Sequence, residues 1–260
     1  VTCAETYGSD AITPLAYIGA QTKRIRLGTS IAILSARSPA NLAMCAQTID
    51  AMCGEGRMVL GLGTSGPQVA EGWYGQPWGR PNYRLRDYVA IMKKVWKRDG
   101  PVTHDGKEIQ LPYPKDAPGS SGLGKPLKST IHPFRTEIPI YLGAEGPKNV
   151  ALAGEICDGW LPLFFSPKED AHYRRCLTEG FTAANEPGKA ERFDVACGVT
   201  IATTPSVPGS DRQASSARRK RSGPASSSTS TGLPRDQLCG SSSSSVFTVS
   251  GANSAIASPL

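Results

Sequence analysis

The stretch Leu142-Gly143-Ala144-Glu145-Gly146-Pro147-Lys148-Asn149-Val150 reads as a strand, a glycine-containing turn and the first turn of a helix. Such a junction turns free backbone N–H groups and the positive end of the helix dipole towards solvent, which is the chemistry of anion binding. A plain strand–helix connection is the alternative. A second cluster, Gly61-Leu62-Gly63-Thr64-Ser65-Gly66-Pro67, lets a flat ring or a phosphate approach the backbone. Its GxGxxG spacing is not the dinucleotide-binding unit, because Pro67 and Glu71-Gly72-Trp73-Tyr74-Gly75 follow in place of that unit's helix. Glu5 directly follows an apolar run, so its carboxylate stands at a strand end, as an acid or base or as a solvated loop group. The three histidines, His104, His132 and His172, have no metal-ligand spacing to one another or to a cysteine, so no metal site is expected. The seven cysteines form no C-x-x-C pair, and several sit in apolar patterns. They read as buried, reduced thiols of a cytoplasmic protein.

These groups need elements to hold them. Strands are predicted at Val1–Glu5, Ile25–Ile33, Met58–Gly63, Ile138–Gly143, Gly159–Phe164 and Phe193–Ala202. They are short, apolar on both faces and rich in β-branched residues, as buried parallel strands are. Helices are predicted between them at Pro14–Thr22, Pro39–Met52, Tyr83–Arg98, Lys148–Cys157 and Pro167–Thr182. Repeated β–α alternation points to an open doubly wound sheet or a (β/α)8 barrel, whose sites lie beyond the C-terminal strand ends. Residues 99–137, with six prolines and the run Gly119-Ser120-Ser121-Gly122-Leu123-Gly124, read as a long insertion or lid covering the pocket. Trp73, Tyr74 and Trp78 are candidates for the pocket wall, or for ordinary packing.

The chain changes character near residue 203. Residues 203–260 hold seventeen serines and a single aromatic, too little apolar surface to offset chain entropy, so they are expected to be disordered. They also hold six Lys/Arg against two Asp/Glu, so most of the formal charge of +7 belongs to them. Residues 1–202 therefore give little reason to expect nucleic acid as a partner, and the run Arg218-Arg219-Lys220-Arg221 reads as a solvated cluster. No apolar run approaches the roughly 18–20 residues that span a bilayer.

Taken together, several stretches resemble the bacterial luciferase-like flavin superfamily. They are Ala4-Glu5-x-Tyr7-Gly8-Ser9-Asp10-Ala11, Arg26-Leu27-Gly28-Thr29-Ser30-Ile31, Gly61-Leu62-Gly63-x-Ser65-Gly66-Pro67-Gln68, Glu71-Gly72-Trp73-Tyr74-Gly75, the 142–149 stretch and Cys157-Asp158-Gly159-Trp160. Within it, the likeness is greatest to actinobacterial oxidoreductases dependent on the deazaflavin coenzyme F420. The resemblance implies an α/β fold, a (β/α)8 TIM-type barrel with the ring at its C-terminal mouth. It implies a non-prolyl cis peptide supporting the ring, for which the matching bond is Ser30–Ile31. It assigns Gly63, Thr64 and Ser65 to the cofactor lining and Glu145, Gly146, Pro147, Lys148 and Asn149 to the phosphate-bearing tail. Glu5 falls where relatives carry an acid or histidine near the reactive edge.

The implied activity is hydride transfer between the deazaflavin and a small organic substrate, with neither membrane nor nucleic acid as partner and with a homodimer as the assembly open to an intact member. An FMN-dependent monooxygenase and a degenerate, non-catalytic barrel are the competing readings. Some deazaflavin-dependent sugar dehydrogenases carry a catalytic glutamate where this chain has Gly66, which argues against their substrate. The resemblance also implies a strand and helix ahead of Val1 and a further strand after Ala202. The chain is accordingly expected to be an incomplete barrel over 1–202, lacking strands one and eight, with 203–260 as a disordered or frame-shifted tail.

Overall fold

The computed structural model describes residues 1–54, 56–200 and 246–251. In chain order the elements are β1 (Thr2–Cys3), α1 (Ile12–Gln21), β2 (Leu27–Thr29), β3 (Ala32–Ile33), α2 (Pro39–Cys53), β4 (Met58–Gly63), α3 (Pro67–Ala70) and α4 (Pro81–Lys97). There follow β5 (His104–Asp105), β6 (Gln110–Leu111), β7 (Ile140–Gly143), α5 (Pro147–Ile156), β8 (Gly159–Leu161), α6 (Asp170–Ala184), α7 (Lys189–Arg192), β9 (Asp194–Thr200) and β10 (Val246–Gly251). Apart from Thr200, these elements belong to one unit, Val1–Val199 with Val246–Leu260; the other unit, Thr200–Ser245, lies outside the described residues beyond Thr200 itself.

The main sheet runs β1-β2-β4-β7-β8-β9-β10, with β3 also paired to β4. The pairings from β1 to β9 are all parallel. This is a curled parallel half-barrel, as the resemblance implies, and not the open doubly wound sheet that the alternation also allows. The expected single strand at Ile25–Ile33 is instead two pieces. Leu27 and Gly28 pair with the start of β4, Ala32 and Ile33 pair with its end, and a cis peptide at Ser30–Ile31 separates them.

The two faces of the sheet are built differently. Leu27, Met58, Leu60, Leu62, Ile140, Leu142 and Trp160 point to the convex side and are buried with residues of the covering helices. Each such side chain contributes roughly 1.5–3 kcal/mol by leaving water. The alternate residues face the hollow, where, among the described residues, Tyr141, Leu161 and Ala196 form a small buried cluster, joined by Ile31 and Val59. Helices α5 and α6 cross in backbone contact. A Cβ on Gly180 would stand 2.0 Å from the Ala151 carbonyl oxygen, and one on Gly154 would stand 2.8 Å from that of Leu177. The far end of α5 is then tied down by two cations, since Lys189 donates to the Glu155 carbonyl (3.1 Å) and Lys93 to that of Ile156 (3.0 Å).

The 99–137 insertion does not behave as a lid. Its short hairpin, β5–β6, lies along α4, because the buried Asp87 accepts from the Glu108 and Ile109 N–H groups (2.7 and 3.0 Å) and pairs with His104 (3.1 Å). Its far end is fastened where Arg135 meets Asp50 (2.9 Å) and the carbonyl of Met58, the first residue of β4. These contacts lie on the barrel's flank and at the N-terminal strand ends, so the expectation of a cover over the pocket is corrected. A hollow of about 420 Å³ between Lys94, His104 and Pro112 belongs to this flank as well. Of the expected disordered tail, Val246–Gly251 forms β10, as its strand-forming Val246, Phe247, Thr248 and Val249 favour. The rest, including Arg218–Arg221, lies outside the described residues.

Two outcomes follow from this packing. Gly180→Leu is expected to force α5 and α6 apart and destabilise the fold by about 1–3 kcal/mol, read from urea unfolding. Burial pushes the Asp87 carboxyl up, but the Glu108 and Ile109 N–H groups and His104 outweigh it and hold the carboxyl below its usual range. A lowered folded value means that its stabilisation is complete above the ordinary carboxylate range and is lost as pH falls through the lowered value. Hydrogen exchange at the Glu108 and Ile109 amides should therefore lose protection on acidification, and should be insensitive to pH in Asp87→Asn.

Candidate active site

The C-terminal ends of β1 to β4 meet at the break between β2 and β3. Ser30 N–H donates to the Cys3 carbonyl (2.8 Å) and Glu5 N–H to that of Ile31 (3.3 Å), so β1 grips the cis segment from both sides. The Glu5 carboxylate is only 3% exposed. One oxygen accepts from the Ile33 N–H (2.9 Å) and the other from Arg37 (2.5 Å). Arg37 in turn reaches Asp10 (3.7 Å), whose Oδ1 accepts the Ile12 and Thr13 N–H groups at the start of α1. Tyr88 on α4 donates to the Arg37 carbonyl (2.9 Å), and burial pushes its phenol well above the ordinary range, so it stays a donor. The carboxylate anticipated at the mouth is thus present and fully engaged.

What this network holds out is Ile31. A Cβ on Gly63 would lie 2.2 Å from Ile31 Cδ1, and one on Gly143 would lie 2.8 Å from Ile31 Cγ2. Because β4 and β7 pair at Leu62 and Leu142, those two glycines leave neighbouring strands at the same level. Their missing side chains let Ile31 settle as an apolar platform across both strand ends. Thr64 and Ser65 continue from Gly63. Ser65 is exposed and left-handed (φ 57°), and Thr64 is half-buried, lining a hollow with Leu34, Trp78 and Arg84.

From Gly143 the chain passes to the start of α5. Gly146 caps the helix without a side-chain bond, no acid occupies the first turn, and a Cβ at Gly146 would meet nothing within 4 Å. Gly146, Pro147, Lys148 and Asn149 are exposed. The Asn149 and Val150 N–H groups turn back to the Gly146 carbonyl, while the Lys148 ammonium stands in the first turn. With Pro147 lacking an N–H and the Asn149 and Val150 N–H groups engaged, the Gly146 and Lys148 N–H groups and the Lys148 ammonium are the donors this helix start could offer a phosphate. Glu145 faces away from it, accepting the N–H groups of Leu163 and Phe164 beyond β8.

The structure thus brings Ser30, Ile31, Gly63, Thr64, Ser65 and Gly146–Asn149 to one edge of the sheet, with Glu5 bracing that edge from beneath and Glu145 bracing its neighbour. Sequence reasoning gave Arg37 and Tyr88 no role at the site, and it read Gly143 only as part of the strand–helix turn. The stretch Ala36-Arg37-Ser38-Pro39 after the second strand end was the available signal for the first of these. Trp73 is exposed and packs on Tyr7 (6.4 Å between centroids), and the Tyr74 hydroxyl donates to the Thr6 carbonyl (3.3 Å). Trp78 is instead half-buried near Leu34, Thr64 and Arg84. Among the described residues no group of acids, histidines and cysteines could hold a metal ion, and Cys157 is a wholly buried thiol pushed up to about 12.

Comparison with known proteins places this geometry in context. The sequence pattern of the luciferase-like monooxygenase family matches residues 1–226. A Mycobacterium tuberculosis protein named "Putative coenzyme F420-dependent oxidoreductase" is 52% identical over 201 residues, covering 77% of this chain and 57% of that protein. The chain therefore spans little more than half of that relative's length. Among solved structures, the coenzyme F420-dependent tetrahydromethanopterin reductase of Methanopyrus kandleri superposes with a TM-score of 0.59 at 24% identity, over 75% of this chain and 56% of that one. An F420-dependent secondary alcohol dehydrogenase gives 0.57 at 21% identity, over 76% and 58%. These two likenesses concern the fold.

The brace makes a graded prediction. Glu5→Ala leaves Arg37 without its carboxylate and should cost on the order of 3 kcal/mol in thermal or urea unfolding. Glu5→Gln keeps an acceptor for the Ile33 N–H and should cost about half as much. Equal losses from the two variants would show that the retained acceptor for the Ile33 N–H contributes nothing and that the charge pairing with Arg37 accounts for the loss.

Proposed function

The chain belongs to the luciferase-like monooxygenase family, and on that premise we propose that it acts as an oxidoreductase, using the deazaflavin coenzyme F420 for hydride transfer to or from a small organic molecule. The observation that carries the reading is the convergence, on neighbouring strand ends, of the Ile31 platform and the open start of α5. A flat ring needs an apolar shelf without side chains standing over it, and a phosphate-bearing tail needs unsatisfied donors. Both lie on one edge. The 52% identical relative bears a coenzyme F420 name, which favours the deazaflavin over FMN.

When bound, such a group supplies a ring carbon that takes up or releases a hydride. The chain's own residues bind and orient. Ile31, settled over Gly63 and Gly143, supports one face of the ring, and the chain from Gly63 through Thr64 and Ser65 follows the same strand end. Lys148 and the free end of α5 hold the tail phosphate. Glu5, with both oxygens committed, keeps Ile31 at its height and is assigned here to positioning rather than to proton transfer. The free thiols among the described residues suit a reducing, cytoplasmic setting.

Titration of the purified chain with coenzyme F420 and, separately, with FMN tests the proposal. The deazaflavin absorbs at about 420 nm and the flavin at about 450 nm, so the two are followed independently. Saturable binding of coenzyme F420 is expected, weakened about tenfold in Lys148→Glu at low ionic strength, with the difference shrinking as salt is added. Preferential FMN binding, or a Lys148 variant indistinguishable at every salt concentration, would overturn it.

A further inference from the structure

We propose that the end of the molecule opposite the mouth is a docking face for an anionic lipid surface. The proposal is independent of the cofactor reading. The small net charge of residues 1–202 conceals a division. The turn 22–26 and the stretch 97–135 hold ten Lys/Arg and four Asp/Glu, whereas the rest of 1–202 holds thirteen and sixteen. The turn joins α1 to β2 and the stretch joins α4 to β7, which places them at the N-terminal strand ends and the adjoining flank. Charge gathered in this way at one end draws in an anionic surface.

The two segments are tied to each other and held still. Arg57 binds the Ile25 and Thr22 carbonyls (2.7 and 2.8 Å), while Arg135, lying against Gly56, binds that of Met58, so they meet on either side of the start of β4. Within the stretch, the Val102 N–H donates to the Leu127 carbonyl (2.8 Å) and Arg98 to that of Ser129 (2.9 Å). The Lys115 stem crosses Gly124, where a Cβ would stand 2.5 Å from its Cε.

From this fixed backbone apolar side chains stand out into water. Leu123 is 70% exposed, Leu127 73% and Ile131 51%, and Ile25 on the neighbouring turn is 44% exposed. Lys97, Lys115, Lys125 and Lys128 are exposed among them, and Lys23 and Arg24 beside Ile25. The exposed acids of the stretch, Asp99, Asp105 and Asp116, are fewer. Large apolar groups held out on ordered backbone mark a surface that something else covers.

The mixture identifies what covers it. In Leu123-Gly124-Lys125-Pro126-Leu127-Lys128 the aliphatic tips and the cations alternate within a few residues. A headgroup layer takes both at once, the tips entering the acyl boundary and the ammonium groups staying with the phosphates at the end of their long stems. Protein interfaces are instead depleted in lysine, and Leu123, Leu127 and Ile131 have no flat face for a nucleic-acid base to stack on. No helix among the described residues is long and apolar enough to cross a membrane. The proposal therefore departs from the expectation of no membrane partner as a surface contact, not as a span. Docking there leaves the mouth, at the other end of the strands, facing the solution.

Co-sedimentation of the whole chain with vesicles tests this. One set is phosphatidylcholine alone, and the other contains about one third phosphatidylglycerol. Binding to the anionic set alone is expected. Arg218–Arg221 would attract the same vesicles, so the variants carry the decision. Lys125→Glu/Lys128→Glu should weaken binding about tenfold or more at low ionic strength, with a smaller difference as salt is added. Leu123→Ser/Leu127→Ser should weaken it about tenfold at every salt concentration with unchanged Tm, because both side chains already meet water. Lys168→Glu, exposed beyond β8 at the opposite end of the strands, should bind as the parent chain does. No binding to anionic vesicles, equal binding to both sets, indifference to either loop variant, or an equal response to Lys168→Glu overturns the proposal. Heparin binding without vesicle binding gives the face to another polyanion and overturns it as well.

Discussion

The arrangement turns on one buried carboxylate. Glu5 receives the Ile33 N–H and the Arg37 guanidinium on its two oxygens, while its own N–H holds the Ile31 carbonyl. Three pieces of chain that would otherwise be independent meet there: the end of β1, the interrupted second strand and the approach to α2. Tyr88 extends the contact to α4, and Asp10 extends it to α1. A parallel sheet needs continuous strands for its ladder, and this one gives up pairing at Ser30 and Ile31. The groups freed by that interruption find their partners on β1 and on the Glu5 side chain, as buried backbone groups must.

Around that point the sheet's inner face is kept low. Gly61, Gly63, Gly143 and Gly159 occupy inward positions, and the space their side chains would fill is taken by Thr29, Leu161, Ile31 and Tyr141. The outer face follows the opposite rule, with bulky aliphatic residues and Trp160 at the alternate positions. A single strand such as β4 therefore reads Met-Val-Leu-Gly-Leu-Gly, large outward and small inward near the mouth. This asymmetry separates the part of the molecule that provides stability from the part that leaves room for chemistry.

Much of this was legible in the sequence. Short runs apolar on both faces and rich in β-branched residues located the strands. Pro39 at one helix start marked its boundary, while the helices expected from Tyr83 and Lys148 begin slightly earlier, at Pro81 and Pro147. The glycine clusters pointed to the right strand ends. The role of Glu5 was not legible, because its partner lies 32 residues away and nothing local shows that Arg37 folds back onto it. The insertion misled for a related reason. Its composition signals a loop, but Asp87, in the middle of a helix among charged neighbours, gives no sign that it is buried and grips the 104–111 hairpin. Pairings made across the chain by polar side chains leave no periodicity behind them.

The crossing of α5 and α6 has a consequence for recognition. Its glycines fix the middle of α5 against α6, and Lys93 and Lys189 fix its C-terminal carbonyls. The N-terminal turn has no side-chain cap among the described residues, and it projects from a body held on both other sides. Donors carried in this way are already ordered before an anion arrives. Little conformational entropy is then lost on binding, and a modest number of contacts translates into useful affinity.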